Sequence, residues 1–230
     1  MTFVLVPGFW LGAESWRDVS VHLSAEGLGH RALTLPGLEH DAHNAGSVQL
    51  ADHIAFVQES IAAADDDVVL VGHSGAGPIC HAAAASAIKK VRRVVHVDTW
   101  PLPSGFAVNA EMARGADVIG LPDWSEFEPE DLVDMSDPLR ERLQRESRPQ
   151  PAAIARDPFP AMDDRRLSIP TTIVCCEFTS KQLQWWVEAG DERLAEVGRL
   201  QDVSYIDLPT GHWPQFTRPR ELATALMSLA

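Results

Sequence analysis

Val68-Val69-Leu70-Val71-Gly72-His73-Ser74-Gly75-Ala76-Gly77-Pro78 runs from four large aliphatic residues into a cluster of small ones, and an alanine-rich stretch follows it. An aliphatic run bounded by glycine reads as a buried strand. Pro78 near the start of the small-residue stretch reads as a helix opening, because proline's missing N–H has no partner to lose in a first turn. Between strand and helix lies Gly-x-Ser-x-small. A serine on so tight a turn is held in a strained backbone conformation, tolerated where neighbours such as Gly72 and Ala76 let strand and helix approach closely. The turn presents the Ser74 hydroxyl above the sheet, and the N–H of Gly75 at the helix start is placed to stabilise an oxyanion. The Gly-Lys-Ser/Thr ending of a phosphate loop is absent.

Working outward, Val, Ile and Leu runs alternate with segments of helical spacing, the pattern of a parallel sheet with helices on both faces. The strands expected are Phe3–Val6, Arg31–Leu35, Val68–Val71, Arg93–Val97, Thr171–Cys175 and Val203–Leu208, and the helices Ser15–Glu26, Leu50–Ala64, Pro78–Ala87, Leu183–Ala189 and Arg218–Leu229. Between Pro101 and Pro170 the alternation stops, and prolines punctuate short acidic pieces. So long an excursion between two strands predicts a small helical cap, residues 101–169, over a core made of residues 1–100 and 170–230.

Composition bounds the partners. The 230 residues are 45% hydrophobic, enough for one large core without disulfide or metal staples. A net charge of -14 repels phosphate backbones and anionic lipid, so neither nucleic acid nor membrane is expected as a partner. Cys80, Cys175 and Cys176 form no disulfide framework. Met1 leads directly into the first strand with no export signal, and no apolar run is long enough to span a bilayer, so a cytoplasmic location is expected. A small-molecule substrate fits this balance, and a homodimer is compatible with it.

A serine hydroxyl is a weak nucleophile and needs a base within hydrogen-bond reach, usually histidine. Of nine histidines, His212 in Leu208-Pro209-Thr210-Gly211-His212-Trp213-Pro214 follows the last strand and precedes the last helix. That loop belongs at the same sheet edge as Ser74. His73 and His96 read as packing residues. The run Glu39-His40-Asp41-Ala42-His43 has ligand-type side chains but no metal-site spacing, and reads as a solvated loop. No metal or cofactor is expected. A second oxyanion donor is expected from the loop after the first strand, Val6-Pro7-Gly8-Phe9-Trp10-Leu11-Gly12, with the Phe9 N–H as the choice.

On Phe3–Gly12, Gly72–Pro78, Val97-Asp98 and Gly211-His212, the chain resembles the α/β-hydrolase superfamily, and within it the small capped esterases that include methyl-salicylate esterases and hydroxynitrile lyases. The resemblance implies a mostly parallel sheet of about six strands, a helical cap, and a Ser74–His212 pair with Phe9 and Gly75 as oxyanion donors. Three positions depart from it. Pro7 stands where the family has histidine, Ala76 where the elbow ends in glycine, and no aspartate follows the strand Thr171–Cys175, where the family's acid usually lies. Asp98, at the end of the neighbouring strand, and Glu177, at the usual strand end, can each fill that role, with Asp98 the first choice. The lyase branch carries threonine and lysine where this chain has Gly8 and Trp213.

Seven tryptophans accompany one tyrosine. Trp10, Trp100, Trp124 and Trp213 fall in loops or the excursion and are expected to wall a pocket with few charged groups, suited to a small hydrophobic or aromatic ester. Trp185 and Trp186 read as helix packing. The resulting expectation is a cofactor-independent serine hydrolase of carboxylesterase or lactonase type. The alternatives are a lyase or cofactor-free oxygenase using His212 as base, and a non-catalytic small-ligand receptor on the same fold.

Overall fold

In the computed structural model, which describes residues 1–230, strand and helix alternate as their hydrophobic spacing requires. The elements in chain order are β1 (Thr2–Val6), α1 (Arg17–Ala25), β2 (Gly29–Ala32), α2 (Leu50–Ala62), β3 (Val68–His73), α3 (Ala76–Ala84) and β4 (Val91–Val97). An insertion follows, carrying β5 (Val118–Ile119), α4 (Asp137–Glu146), β6 (Gln150–Pro151) and α5 (Ala152–Arg156). The chain then returns through β7 (Thr171–Cys175), α6 (Ser180–Glu188), α7 (Ala195–Arg199), β8 (Val203–Asp207), α8 (Pro214–Thr217) and α9 (Pro219–Met227).

The main sheet has six strands, all parallel, in the order β2-β1-β3-β4-β7-β8. Its central strands are aliphatic on both sides because both faces are covered. Val4, Val6 and Leu70 pack with Val57 and Ile61 of α2 and Ile79 of α3. Phe3, Leu5, Val69 and Val71 pack on the opposite face with Val19 and Leu23 of α1 and Leu222 and Leu226 of α9. Each central side chain is fully buried, so truncating Phe3 to alanine would cost about 3–5 kcal/mol. The register sets Val6 opposite Gly72, His73 opposite Val97, and Val97 opposite Val174. The C-terminal ends of β1, β3, β4 and β7 are therefore level, and the loops leaving them converge.

Several boundaries differ from the sequence reading by one to three residues, and two of them have a clear physical reason. The second strand spans Gly29–Ala32, not Arg31–Leu35. The Leu33 N–H still donates to the Leu5 carbonyl of β1 at 2.9 Å, but Leu33 and Leu35 lie past the end of the strand and are buried in the same cluster as Val57, so loop packing continues their burial where strand pairing stops. The helix after Ser74 starts at Ala76, two residues before Pro78, which occupies its first turn.

The insertion is more than a helical piece. It contains an antiparallel pair, Val118 with Pro151 and Ile119 with Gln150. Ile119, Ile154 and Phe159 belong to the same buried cluster as Leu70 and Ile79, so the insertion shares its core with the sheet. No helix is long and apolar enough to cross a membrane, and the three cysteines are free and buried.

Candidate active site

At the end of β3 the backbone at Ser74 has φ +51°, the left-handed region that costs a non-glycine residue about 1–3 kcal/mol. Packing holds it there. The Ser74 N–H donates to the carbonyl of Val97 at 3.0 Å, and its own carbonyl accepts from Gly77 at 2.9 Å. A Cβ on Gly72 would lie 2.7 Å from the Ala76 carbonyl and 2.8 Å from Cys80 Sγ, so only glycine lets strand and helix close on each other. The loop after β1 approaches as tightly. A Cβ on Gly8 would meet the Ser74 Cβ at 2.9 Å, and one on Gly75 would meet the Phe9 ring at 2.4 Å. The backbone N–H groups of Phe9 and Gly75 donate to no other protein group, which leaves both available beside the serine hydroxyl.

His212 reaches Ser74 from the loop between β8 and α8. The Ser74 hydroxyl donates to His212 Nε2 at 2.8 Å, and His212 Nδ1 donates to Asp98 Oδ2 at 2.8 Å. Asp98, also at φ +51°, is buried at the end of β4, and its second oxygen accepts the backbone N–H groups of Cys176 and Glu177, both at 3.0 Å. Burial opposes its charge, but the bond to His212 and the Glu177 N–H hold the carboxyl below the ordinary aspartate range.

The structure therefore separates the two acid candidates. Glu177 Oε1 lies 3.2 Å from the same Nδ1, yet receives no aligned hydrogen bond because that N–H points at Asp98. Burial pushes the Glu177 carboxyl up to about 8, with the neighbouring charge of Asp98 and the contact with Asp131 adding to it against the pull of His212. Burial likewise opposes a charge on His212, but the hydrogen bond to Asp98 and the close Glu177 carboxyl outweigh it and raise the imidazole to about 10. Asp98, Glu177 and His212 each bring one ligand-type atom within 4.8 Å of the others. Both imidazole nitrogens are committed to Asp98 and Ser74, so a cation there would have to displace one of those bonds.

His73 does more than pack. Its Nε2 donates to the backbone carbonyl of His212 at 2.6 Å, and its Nδ1 accepts from Gln215 Nε2 at 3.2 Å. Burial, aided by the charge of His212, pushes His73 down to about 3, so it stays a neutral donor. The insertion grips the same loop from outside. The carbonyls of Asp131 and Val133 accept the N–H groups of His212 and Gly211 at 2.9 and 3.1 Å. It also anchors the loop after β1, where the Trp10 N–H donates to Gln150 Oε1 and the Trp10 indole to the Ile119 carbonyl, each at 3.2 Å. None of these partners has a motif, and only the chain's return path brings them to the site.

Two chambers open from the serine. One of about 400 Å³ is lined by Trp100, Leu102, Phe178, Trp186 and Arg193. The other, of about 730 Å³, is lined by Phe9, Trp10, Ile119 and Phe127 with Glu111, Glu126 and Asp131. Trp10 and Trp100 thus stand where a pocket wall was expected. Trp124 and Trp213 do not: Trp213 is buried, and the two rings pack edge to face at 6.1 Å, away from both chambers. Trp186, read from sequence as packing, lines the smaller chamber. The expectation of few charged groups is also corrected, since carboxylates rim the larger chamber. His96 is buried with neither ring nitrogen partnered, as a packing residue. In the Glu39–His43 loop, Glu39 accepts the Gly37 N–H and His40 meets Arg148, so the ligand-type side chains do not converge.

Comparison with known proteins bears on this arrangement. Residues 3–225 match a family model described as the alpha/beta hydrolase family. A carbendazim hydrolyzing esterase from Nocardioides sp. (strain SG-4G) is 39% identical over 116 residues, covering 49% of this chain and 47% of that relative. The match with this curated relative thus spans about half the length of each. Among solved structures, an extracellular alpha/beta-hydrolase from a Paenibacillus species, described as sharing structural and functional homology with tobacco salicylic acid binding protein 2, superposes with a TM-score of 0.79 at 18% identity, covering 99% of this chain and 98% of that one. A methylesterase from Arabidopsis superposes with a TM-score of 0.73 at 16% identity, covering 100% and 98%. At such identities these two structures speak to the fold.

Proposed function

Since the chain belongs to the alpha/beta hydrolase family, we propose that it is a cofactor-independent serine hydrolase that cleaves a small hydrophobic or aromatic ester through an acyl-enzyme on Ser74. The observation that carries this reading is the unbroken relay from Ser74 Oγ through His212 to Asp98, at 2.8 Å for each link, opening on two chambers. His212 Nε2 takes the hydroxyl proton as Ser74 Oγ attacks the ester carbonyl, while Asp98 holds the ring in the required tautomer and stabilises the imidazolium. The free N–H groups of Phe9 and Gly75 bind the oxyanion. The imidazolium returns the proton to the departing alcohol, and a water activated by the same imidazole releases the acid.

The insertion, residues 101–169, acts as the cap that walls the substrate. Its Phe127 and Ile119, with Phe9 and Trp10 from the loop after β1, favour a flat or apolar group in the larger chamber. The esterase relative supports ester chemistry, and carbendazim belongs in the first substrate panel. Against a lyase reading, the residue after His212 is Trp213, buried among Trp124, Phe127 and Phe216, which offers no cation to the reaction.

Labelling with a small fluorophosphonate, read by intact mass, tests the reading without knowledge of the substrate. One adduct is expected on the wild type and none on Ser74→Ala. A folded wild type that takes no adduct would overturn it.

A further inference from the structure

The two chambers share four lining residues, Ser74, Val108, Glu177 and His212. Ser74 and His212 carry the relay, and Glu177 lies just past the end of β7 beside them. Val108 is the insertion's one contribution to the boundary between the chambers. Valine is branched at Cβ, so its side chain has little freedom to turn aside from where the backbone sets it. The boundary is therefore placed by whatever holds residues 107 and 108.

That segment is held from two directions. Within the insertion, the Gly105 N–H donates to the Phe159 carbonyl and the Phe159 N–H to the Phe106 carbonyl, both at 2.8 Å, and the Asn109 N–H donates to the Ala155 carbonyl at 2.9 Å. From the core, Arg193 Nη2 donates to the carbonyls of Ala107 and Val108 at 3.2 and 2.9 Å. Those carbonyls accept from no backbone N–H, and Arg193 spends its charge on them, not on a carboxylate. A guanidinium donating to a carbonyl makes a stronger bond than a neutral donor would. Arg193 itself starts from a fixed point between α6 and α7. Its N–H donates to the Asp191 carboxylate at 2.8 Å, and Leu194 after it is buried with Ile173 and Leu183. Arg193 lines the smaller chamber alone, yet through the Val108 carbonyl it acts on a wall of both.

We propose that Val108 is the partition that sorts the two halves of the ester, and that Arg193 is the positioning residue that holds it in place. The acyl and alcohol groups leave the reacting carbon on opposite sides of Val108, one into about 400 Å³ and the other into about 730 Å³. The substrate class is a compact ester with one smaller and one larger half. The sorting of halves rests on the serine-hydrolase reading; the hold of Arg193 on residues 107 and 108 does not.

Methyl acetate, methyl naphthoate and naphthyl acetate place bulk on neither half, on the acyl half and on the alcohol half. Their kcat/KM values, followed by pH-stat, give two ratios of bulky ester to methyl acetate. Val108→Ala is expected to raise both ratios by at least about fivefold, because the valine presses on either group. Trp186→Ala opens the smaller chamber alone and is expected to move one ratio only. A Val108 variant that moves fewer than two, or a Trp186 variant that moves both, would overturn the partition. Arg193→Met separates a strut from a simple wall. Acting through Val108, it is expected to move both ratios, and Arg193→Lys, which restores a donor to the carbonyls, to bring them most of the way back. Movement of one ratio, or no recovery with lysine, would overturn the role of Arg193. A second measurement does not depend on Ser74. Amide hydrogen exchange over residues 105–109, read by mass spectrometry, is expected to be at least about tenfold faster in Arg193→Met than in the wild type. Unchanged exchange would overturn the hold. Faster exchange in a protein that cleaves no ester and takes no fluorophosphonate would support it and count against the hydrolase reading alone.

Discussion

At Nδ1 of His212 two carboxyl groups compete, and hydrogen-bond direction decides between them. Asp98 receives the ring N–H in line and two backbone N–H groups besides, so its charge is supported from three sides. Glu177 sits 0.4 Å farther off the same nitrogen, at 3.2 Å against 2.8 Å, and out of line with the N–H. Asp98→Asn should therefore lower kcat by about 10³–10⁴-fold, the scale for an orienting acid. Both carboxyls favour the charged imidazole, whereas a general base must be neutral. The rate of ester cleavage should rise with pH, with a midpoint above the ordinary histidine value of 6.5. A kcat/KM profile in wild type and Asp98→Asn reads both effects; an acid limb below 6.5, or near-full rate in the variant, would contradict the assignment.

Elements supply what no single side chain could. The β3–α3 turn presents Ser74, the β4 end Asp98, and the β7 end Glu177, and they meet because the register makes those strand ends level. The His212 loop has no such strand register to fix it, and is clamped instead between His73 inside and the carbonyls of Asp131 and Val133 outside. Gly211 is where the clamp is tightest. A Cβ there would lie 2.2 Å from the Asp131 carbonyl oxygen and 2.7 Å from that of Val133, both backbone atoms. Gly211→Ala should push the insertion off the loop, costing about 1–3 kcal/mol in stability and at least about 100-fold in kcat/KM. Thermal melting together with ester kinetics checks this, and wild-type values for both would show that the clamp does not position the imidazole.

For the molecule as a whole, the burial that builds the core also sets its response to acid. Burial pushes His53 down to about 4 and His73 and His81 to about 3, and holds His96 well below its ordinary value. The unfolded chain binds protons below about pH 6.5 that these groups refuse while folded, so stability present above 6.5 is lost as pH falls toward 4 and then 3. His212 acts in the opposite sense, since its raised value adds stability below 6.5 that disappears only as pH rises toward 10. Glu177, raised to about 8, likewise adds stability as pH falls, but the four lowered groups outweigh the two raised ones. The melting temperature should fall by about 5–10 °C between pH 7 and pH 5, as measured by calorimetry. A flat or rising melting temperature over that interval would mean that the buried imidazoles are not held neutral.

Much of this arrangement is written along the chain. The aliphatic runs, the small-residue turn around Ser74 and the late Gly211-His212 loop are local patterns, and local sterics and burial are enough to make strands, an elbow and the meeting of Ser74 and His212 at one sheet edge readable. The choice of Asp98 over Glu177 as the imidazole's partner is not local. It depends on the direction of one N–H, which the packing of the His212 loop decides. The same holds for Trp124 and Trp213, whose large apolar rings suit a pocket wall and a core equally well; only the path of the insertion put them against each other and brought Trp186 to the chamber instead. The contacts of His73, Gln150 and Asp131 with the site join residues between 81 and 140 positions apart in the chain. Contacts at that separation leave no periodicity or spacing in the sequence, and they exist only once the tertiary structure has closed.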